Sequence, residues 1–99
     1  MTISSKILTL WQQHPSASFP KGDKEVEGVS LTVLDAEIVG CIRMYINNGG
    51  RLDYQRVLDL RNRLIDLNTI ILFLDKDELN YFSQLKELAD LILEGVEKN

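Results

Sequence analysis

The residues able to do chemistry in this chain are few, and their spacing suits few reactions. Cys41 and His14 are its only cysteine and its only histidine. Together they would be the one thiol–imidazole couple available for nucleophilic catalysis, which needs a base beside the thiol and usually a third group to orient that base. Cys41, however, falls on an apolar stripe at helical spacing with Leu34, Ile38 and Tyr45. There a free thiol behaves as a small hydrophobe. His14 stands directly before Pro15, at a helix end, where a capping or loop role is expected. One thiol can close no intrachain disulfide, and a thiolate zinc site needs more ligands than one Cys and one His. Neither a metal nor a cofactor is expected.

The polar candidates are carboxylates and arginines. Asp35 and Glu37 are the carboxylates of interest, and Asp35 lies beside the same apolar stripe if the helix starts near Ser30. A carboxylate near a core needs a cationic partner, or its protonated form is favoured. Arg43, Arg51 or Arg61 could supply that charge. Asp35, Glu37, Arg43 and Arg51 are therefore the candidate polar site for a small enzyme, or an accessory subunit of one, if they converge in a pocket. Asn47-Asn48-Gly49-Gly50, with Arg51 and a helix start behind it, could be mistaken for a phosphate loop. It lacks the glycine spacing and the Lys-Ser/Thr of such loops and reads as a plain turn. Arg56 and Arg63 share a helix face while Arg61 points elsewhere. Asp59, four residues before Arg63, suits an ion pair within the helix.

The whole-chain numbers bound the rest. The 99 residues are 44% hydrophobic and 26% charged, ordinary for one globular domain. A chain of this length buries roughly 60–70% of its unfolded surface, enough for one core. The net charge is −4, distributed as −2 over 1–42, +2 over 43–74 and −4 over 75–99. A nucleic-acid reader needs a dense basic stripe, and this overall acidity disfavours one. No apolar run follows a basic N-terminal segment, so no signal peptide is read. The longest apolar run, Ile70–Leu74, is far short of the ~20 residues of a membrane span. The expected location is cytoplasmic.

Four helices must position these residues. The first is expected from Ile3 to Gln13, capped by Ser4 or Thr2 and buried along Ile3, Ile7, Leu10 and Trp11, with Leu8 widening the face. Pro15 ends it. Residues 14–25 hold both prolines and form a loop. Residues 26–34 are ambiguous between strand and helix: Val29, Leu31 and Val33 alternate, yet Leu31, Leu34, Ile38, Cys41 and Tyr45 step by three and four. One helix from Ser30 to Asn47 is preferred, since no second strand is evident to pair with and a lone strand leaves its backbone groups unpaired. The alternative starts at Asp35 as N-cap. Asn47–Gly50 stops this helix.

The third helix is expected from the N-cap Asp53, with Leu52 and Val57 as a hydrophobic staple. Its seam is Val57, Leu60, Leu64, Leu67, Ile71 and Leu74, broadened by Leu58, Ile65 and Leu72. The fourth begins with the capping-box pair Asp75 and Glu78, stapled by Leu74 and Leu79. It buries Phe82, Leu85, Ala89, Ile92 and Val96, flanked by Leu88 and Leu93. The fold class is all-α: a single four-helix bundle-like domain, 1–99, with a short first helix packed on three longer ones.

From Leu34 to Leu93 the chain resembles a group of small uncharacterised bacterial helical proteins. The residues carrying the likeness are Leu34-Asp35-Ala36-Glu37-Ile38-Val39-Gly40-Cys41, Asn48-Gly49-Gly50-Arg51-Leu52-Asp53, and Tyr81-Phe82 with Leu85 and Leu88-Ala89. The resemblance implies a bacterial helical domain and no activity.

Apolar surface remains in excess. Ile70 to Leu74 span more than one turn and point all around the axis. Trp11 and Phe19 could cover the far side; so could a protein partner or a second copy of the chain. Phe73 and Trp11 are the candidate interface residues. The expected function is a non-catalytic interaction or regulatory module.

Overall fold

Each helix starts at a side chain that satisfies one of its orphan amides. The computed structural model describes residues 3–14 and 24–97. Helix α1 covers Ser5–Gln13, and Ser4 Oγ accepts from Ile7 N at 3.2 Å. Helix α2 covers Leu31–Asn47, with Ser30 Oγ accepting from Val33 N at 3.3 Å. Helix α3 covers Tyr54–Ile70, with Asp53 Oδ1 accepting from Arg56 N at 2.8 Å. Helix α4 covers Lys76–Glu97. At its start Asp75 Oδ1 accepts from Glu78 N at 2.8 Å while Glu78 Oε1 accepts from Asp75 N at 2.9 Å. That is the reciprocal capping box expected from the spacing.

The ambiguous stretch resolves in two parts. The helix does begin behind Ser30, so Asp35 lies within α2 and is not an N-cap. Ahead of it is a two-residue antiparallel pair, β1 (Glu25–Val26) and β2 (Val29–Ser30), which was not anticipated. Glu27 and Gly28 both have positive φ, 50° and 80°, the geometry of a tight primed turn. Leu31 N then donates to Lys24 O at 2.9 Å, which closes the hairpin against the start of α2.

The stop after α2 is a Schellman motif. Gly50 N donates to Tyr45 O at 2.9 Å and Gly49 N to Ile46 O at 3.3 Å, so two orphan carbonyls are satisfied. Gly49 and Gly50 have φ of 68° and 94°, conformations open to glycine at little cost.

Helices α2, α3 and α4 all contact one another, and α1 packs on α4. Ile38 and Ile42 of α2, Leu60, Leu67 and Ile70 of α3, and Phe82, Leu85, Ala89 and Ile92 of α4 are fully buried. Each large side chain among them contributes about 1.5–3 kcal/mol by leaving water. The seam of α3 differs from expectation at its end. Regular helix stops at Ile70, and Ile71–Phe73 form a tighter 3-10 turn. Ile70 is buried in place of Ile71. The flanking residues do not all broaden the buried stripe: Leu58 is half-buried, whereas Ile65 and Leu72 are exposed. Leu8 and Leu79 are exposed as well. Phe19 lies outside the described residues. No described helix is long and apolar enough to cross a membrane.

Candidate functional site

Two places on the structure carry side chains beyond what the core requires. The first is a polar cluster where the end of α1 meets α2 and α4. Tyr81 is buried, and its hydroxyl donates to Asp35 Oδ1 at 2.6 Å. Its oxygen lies 3.3 Å from His14 Nε2. A phenol carries one proton, and here Asp35 receives it, so His14 Nε2 must be the donor in the second contact. His14 Nδ1 is buried and has no hydrogen-bond partner among the described residues. The His14 ring lies nearly parallel to Trp11, with centroids 5.9 Å apart and 9° between planes. The Arg43 guanidinium carbon lies 6.0 Å from the Trp11 ring centroid, at the outer limit of a cation–π contact.

Burial dominates the electrostatics of this cluster. Burial, reinforced by the hydrogen bond to Asp35, pushes the Tyr81 hydroxyl well above the usual phenol range. Burial lowers His14 from the ordinary imidazole value, against the pull of Asp35 and with a small push from Arg43. An activated tyrosine would show the opposite shift. Beside the cluster lies a cleft of about 250 Å³ lined by Leu10, Gln13, His14, Gln84, Glu87 and Leu88.

The four polar candidates do not share a pocket. Asp35 and Arg43 both reach the α1 end, at Tyr81 and Trp11 respectively. Glu37, two residues from Asp35, is rotated about 200° around α2 and accepts from Arg63 Nη1 at 2.8 Å. Arg51 is exposed beyond the Schellman turn. Arg63 pairs with Glu37 and with Asp66, at 2.8 and 3.1 Å. The expected partner Asp59 instead accepts from Gln55 Nε2 at 3.0 Å. Cys41 is buried and its thiol is pushed up, chiefly by burial. Its Sγ lies 3.9 Å from Arg56 O. This is the environment of a packing thiol. The described residues hold no group of three or more His, Cys, Asp or Glu able to bind a metal ion.

Sequence reasoning gave Tyr81 no polar role, because its partners Asp35 and His14 stand 46 and 67 residues away. It also missed Glu78's second role. Glu78 is only 3% exposed, and its Oε2 holds Lys24 Nζ at 3.0 Å. That pair ties the segment before β1 to the start of α4.

The second place is the outer face of α3. Leu58, Ile65 and Leu72 recur every seven residues, with Tyr54 four residues before the first and Arg61 and Asn68 between them. Within α3, Tyr54, Leu58, Arg61, Ile65 and Asn68 step by four and three along one line; Leu72 and Phe73 stand on the 3-10 turn that follows. This line runs beside the buried one. Tyr54 is 78%, Ile65 61% and Leu72 91% exposed, and Phe73, next to Leu72, is 58% exposed. Trp11, the other interface candidate, is half-buried against His14. The chain matches no known protein family, no curated protein and no solved structure.

Proposed function

We propose that this chain is a non-catalytic protein–protein interaction module whose contact surface is the outer face of α3. The observation that carries the reading is the set of exposed apolar side chains Tyr54 and Ile65 on α3 and Leu72 and Phe73 on the turn that follows it, bordered by half-buried Leu58. Scattered surface leucines need no explanation, but apolar residues grouped on one face supply one half of a helix–helix interface. The partner that fits is an amphipathic helix of another polypeptide. Polar Asn68 and Arg61 on the same line would restrict its register, as buried polar positions do in coiled coils.

Photo-crosslinking residues placed singly at positions 65, 72 and 33 test this in cells that express the chain. Val33 is exposed on α2 and serves as the control site. Adducts of one discrete polypeptide at 65 and 72, absent at 33 and lost in a Tyr54→Ser background, are the expected result. Light scattering of the purified chain then shows whether that polypeptide is a second copy. Equal adducts at all three sites, or none at 65 and 72, would overturn the reading.

A further inference from the structure

The cluster at the end of α1 is built around a histidine whose ring finds one hydrogen-bond partner, and not two, among the described residues. His14 is the C-cap of α1, and its N–H donates to Leu10 O and Trp11 O. Its Nε2 is committed to Tyr81, whose own proton is committed to Asp35. A second proton would have to sit on Nδ1, which is buried and faces no acceptor among the described residues. A buried donor left unsatisfied costs the full desolvation of that group.

We propose that His14 is a proton-controlled latch: protonation of its ring releases the C-terminal end of α1 from α2 and α4. The charged and titratable groups around the ring are Asp35 and Arg43 from α2 and Tyr81 and Glu87 from α4. Asp35 favours the imidazolium and Arg43 opposes it, while Tyr81 stays neutral. Glu87 lines the adjoining cleft. Burial nonetheless outweighs the attraction and lowers His14's proton affinity in the docked state. The released state therefore binds the proton more tightly. The docking stability that His14 contributes is fully present above the ordinary imidazole value and is lost as pH falls through the lower docked value. Once released, α1 cannot persist alone, because a nine-residue helix is below the length that holds in water.

The test uses the full chain and two readouts: the imidazole titration of His14 by NMR, and amide exchange corrected for its intrinsic pH dependence. Between about pH 7.5 and about pH 5.5, straddling the ordinary imidazole value, protection of the α1 amides should fall, by about tenfold at most, the limit set by one proton taken up by the released state. The fall should track the His14 titration, whose midpoint lies below 6.5. Amides of Ile42, Leu60 and Phe82 should keep their protection. In His14→Gln, whose side-chain amide can still donate to Tyr81, α1 should stay protected at both pH values. Three results would each overturn the latch: a His14 midpoint at or above 6.5, α1 protection indifferent to pH, or the same loss in His14→Gln. Should His14→Gln leave α1 undocked throughout, the wild-type midpoints decide: coincidence supports the latch, and separation overturns it.

Discussion

Glu78 holds Lys24 across 54 positions of sequence, Oε2 to Nζ at 3.0 Å, while its other oxygen caps the amide of Asp75. One buried carboxylate thus both starts α4 and anchors the segment before the hairpin. Glu78→Ala removes the cap and the ion pair together. The cap alone is worth about 0.5–2 kcal/mol, and the pair adds little because Lys24 is half in water. Glu78→Ala is expected to destabilise by about 1–3 kcal/mol and Lys24→Ala by about 1 kcal/mol or less. Urea denaturation of the two variants checks the order; the reverse order would mean that the ion pair dominates.

Leu64 and Ile65 are neighbours on α3 with opposite environments, Leu64 buried and Ile65 exposed. Leu64→Ala should cost on the order of 2–5 kcal/mol, the range for a buried leucine. Ile65→Ala should stay within about 0.5 kcal/mol. Against a total stability of about 5–15 kcal/mol, the first should lower the melting temperature markedly and the second barely move it. Similar effects at both positions would place the wrong face of α3 inward.

Gly49 and Gly50 both have positive φ, but only Gly50 is enclosed. A Cβ there would meet Ile3 Cγ1 at 3.2 Å and the Tyr45 hydroxyl at 3.6 Å, whereas one at Gly49 would meet nothing within 4 Å. Gly49→Ala should cost about 1–2 kcal/mol, the left-handed backbone penalty. Gly50→Ala adds the crowding at Ile3 and should be the more destabilising of the two. Thermal melts of the pair measure the difference, and equal losses would remove the packing contribution.

Cys41 should react slowly with a thiol reagent at neutral pH, because burial both hides the sulfur and disfavours the thiolate. The rate should rise to that of a free cysteine on unfolding in urea. Cys41→Ala should preserve any partner binding at the α3 face. Rapid modification of the folded chain would mean an exposed or activated thiolate and would reopen a nucleophilic role.

The helix starts, and the stop after α2, are legible in the sequence. Ser4, Asp53 and the Asp75–Glu78 pair act within three residues of where they stand, and Asn47–Gly50 terminates α2 through bonds spanning three to five residues. Such signals are local, so they survive without knowledge of the fold. The hairpin was missed because its two strands are only two residues each, too short for alternation to register. The inward side of α3 was legible too, because Val57, Leu60, Leu64 and Leu67 repeat at helical spacing and are all buried. Only the tertiary structure decides how wide that face is: α2 and α4 leave Ile65 and Leu72 uncovered, so they do not broaden it. The polar cluster was out of reach for a related reason. Tyr81 lies 46 residues from Asp35 and 67 from His14, and no pattern along the chain brings side chains that far apart to one point. Packing of α1 and α2 against α4 does, and it sets the Tyr81 hydroxyl between Asp35, to which it donates, and His14 Nε2.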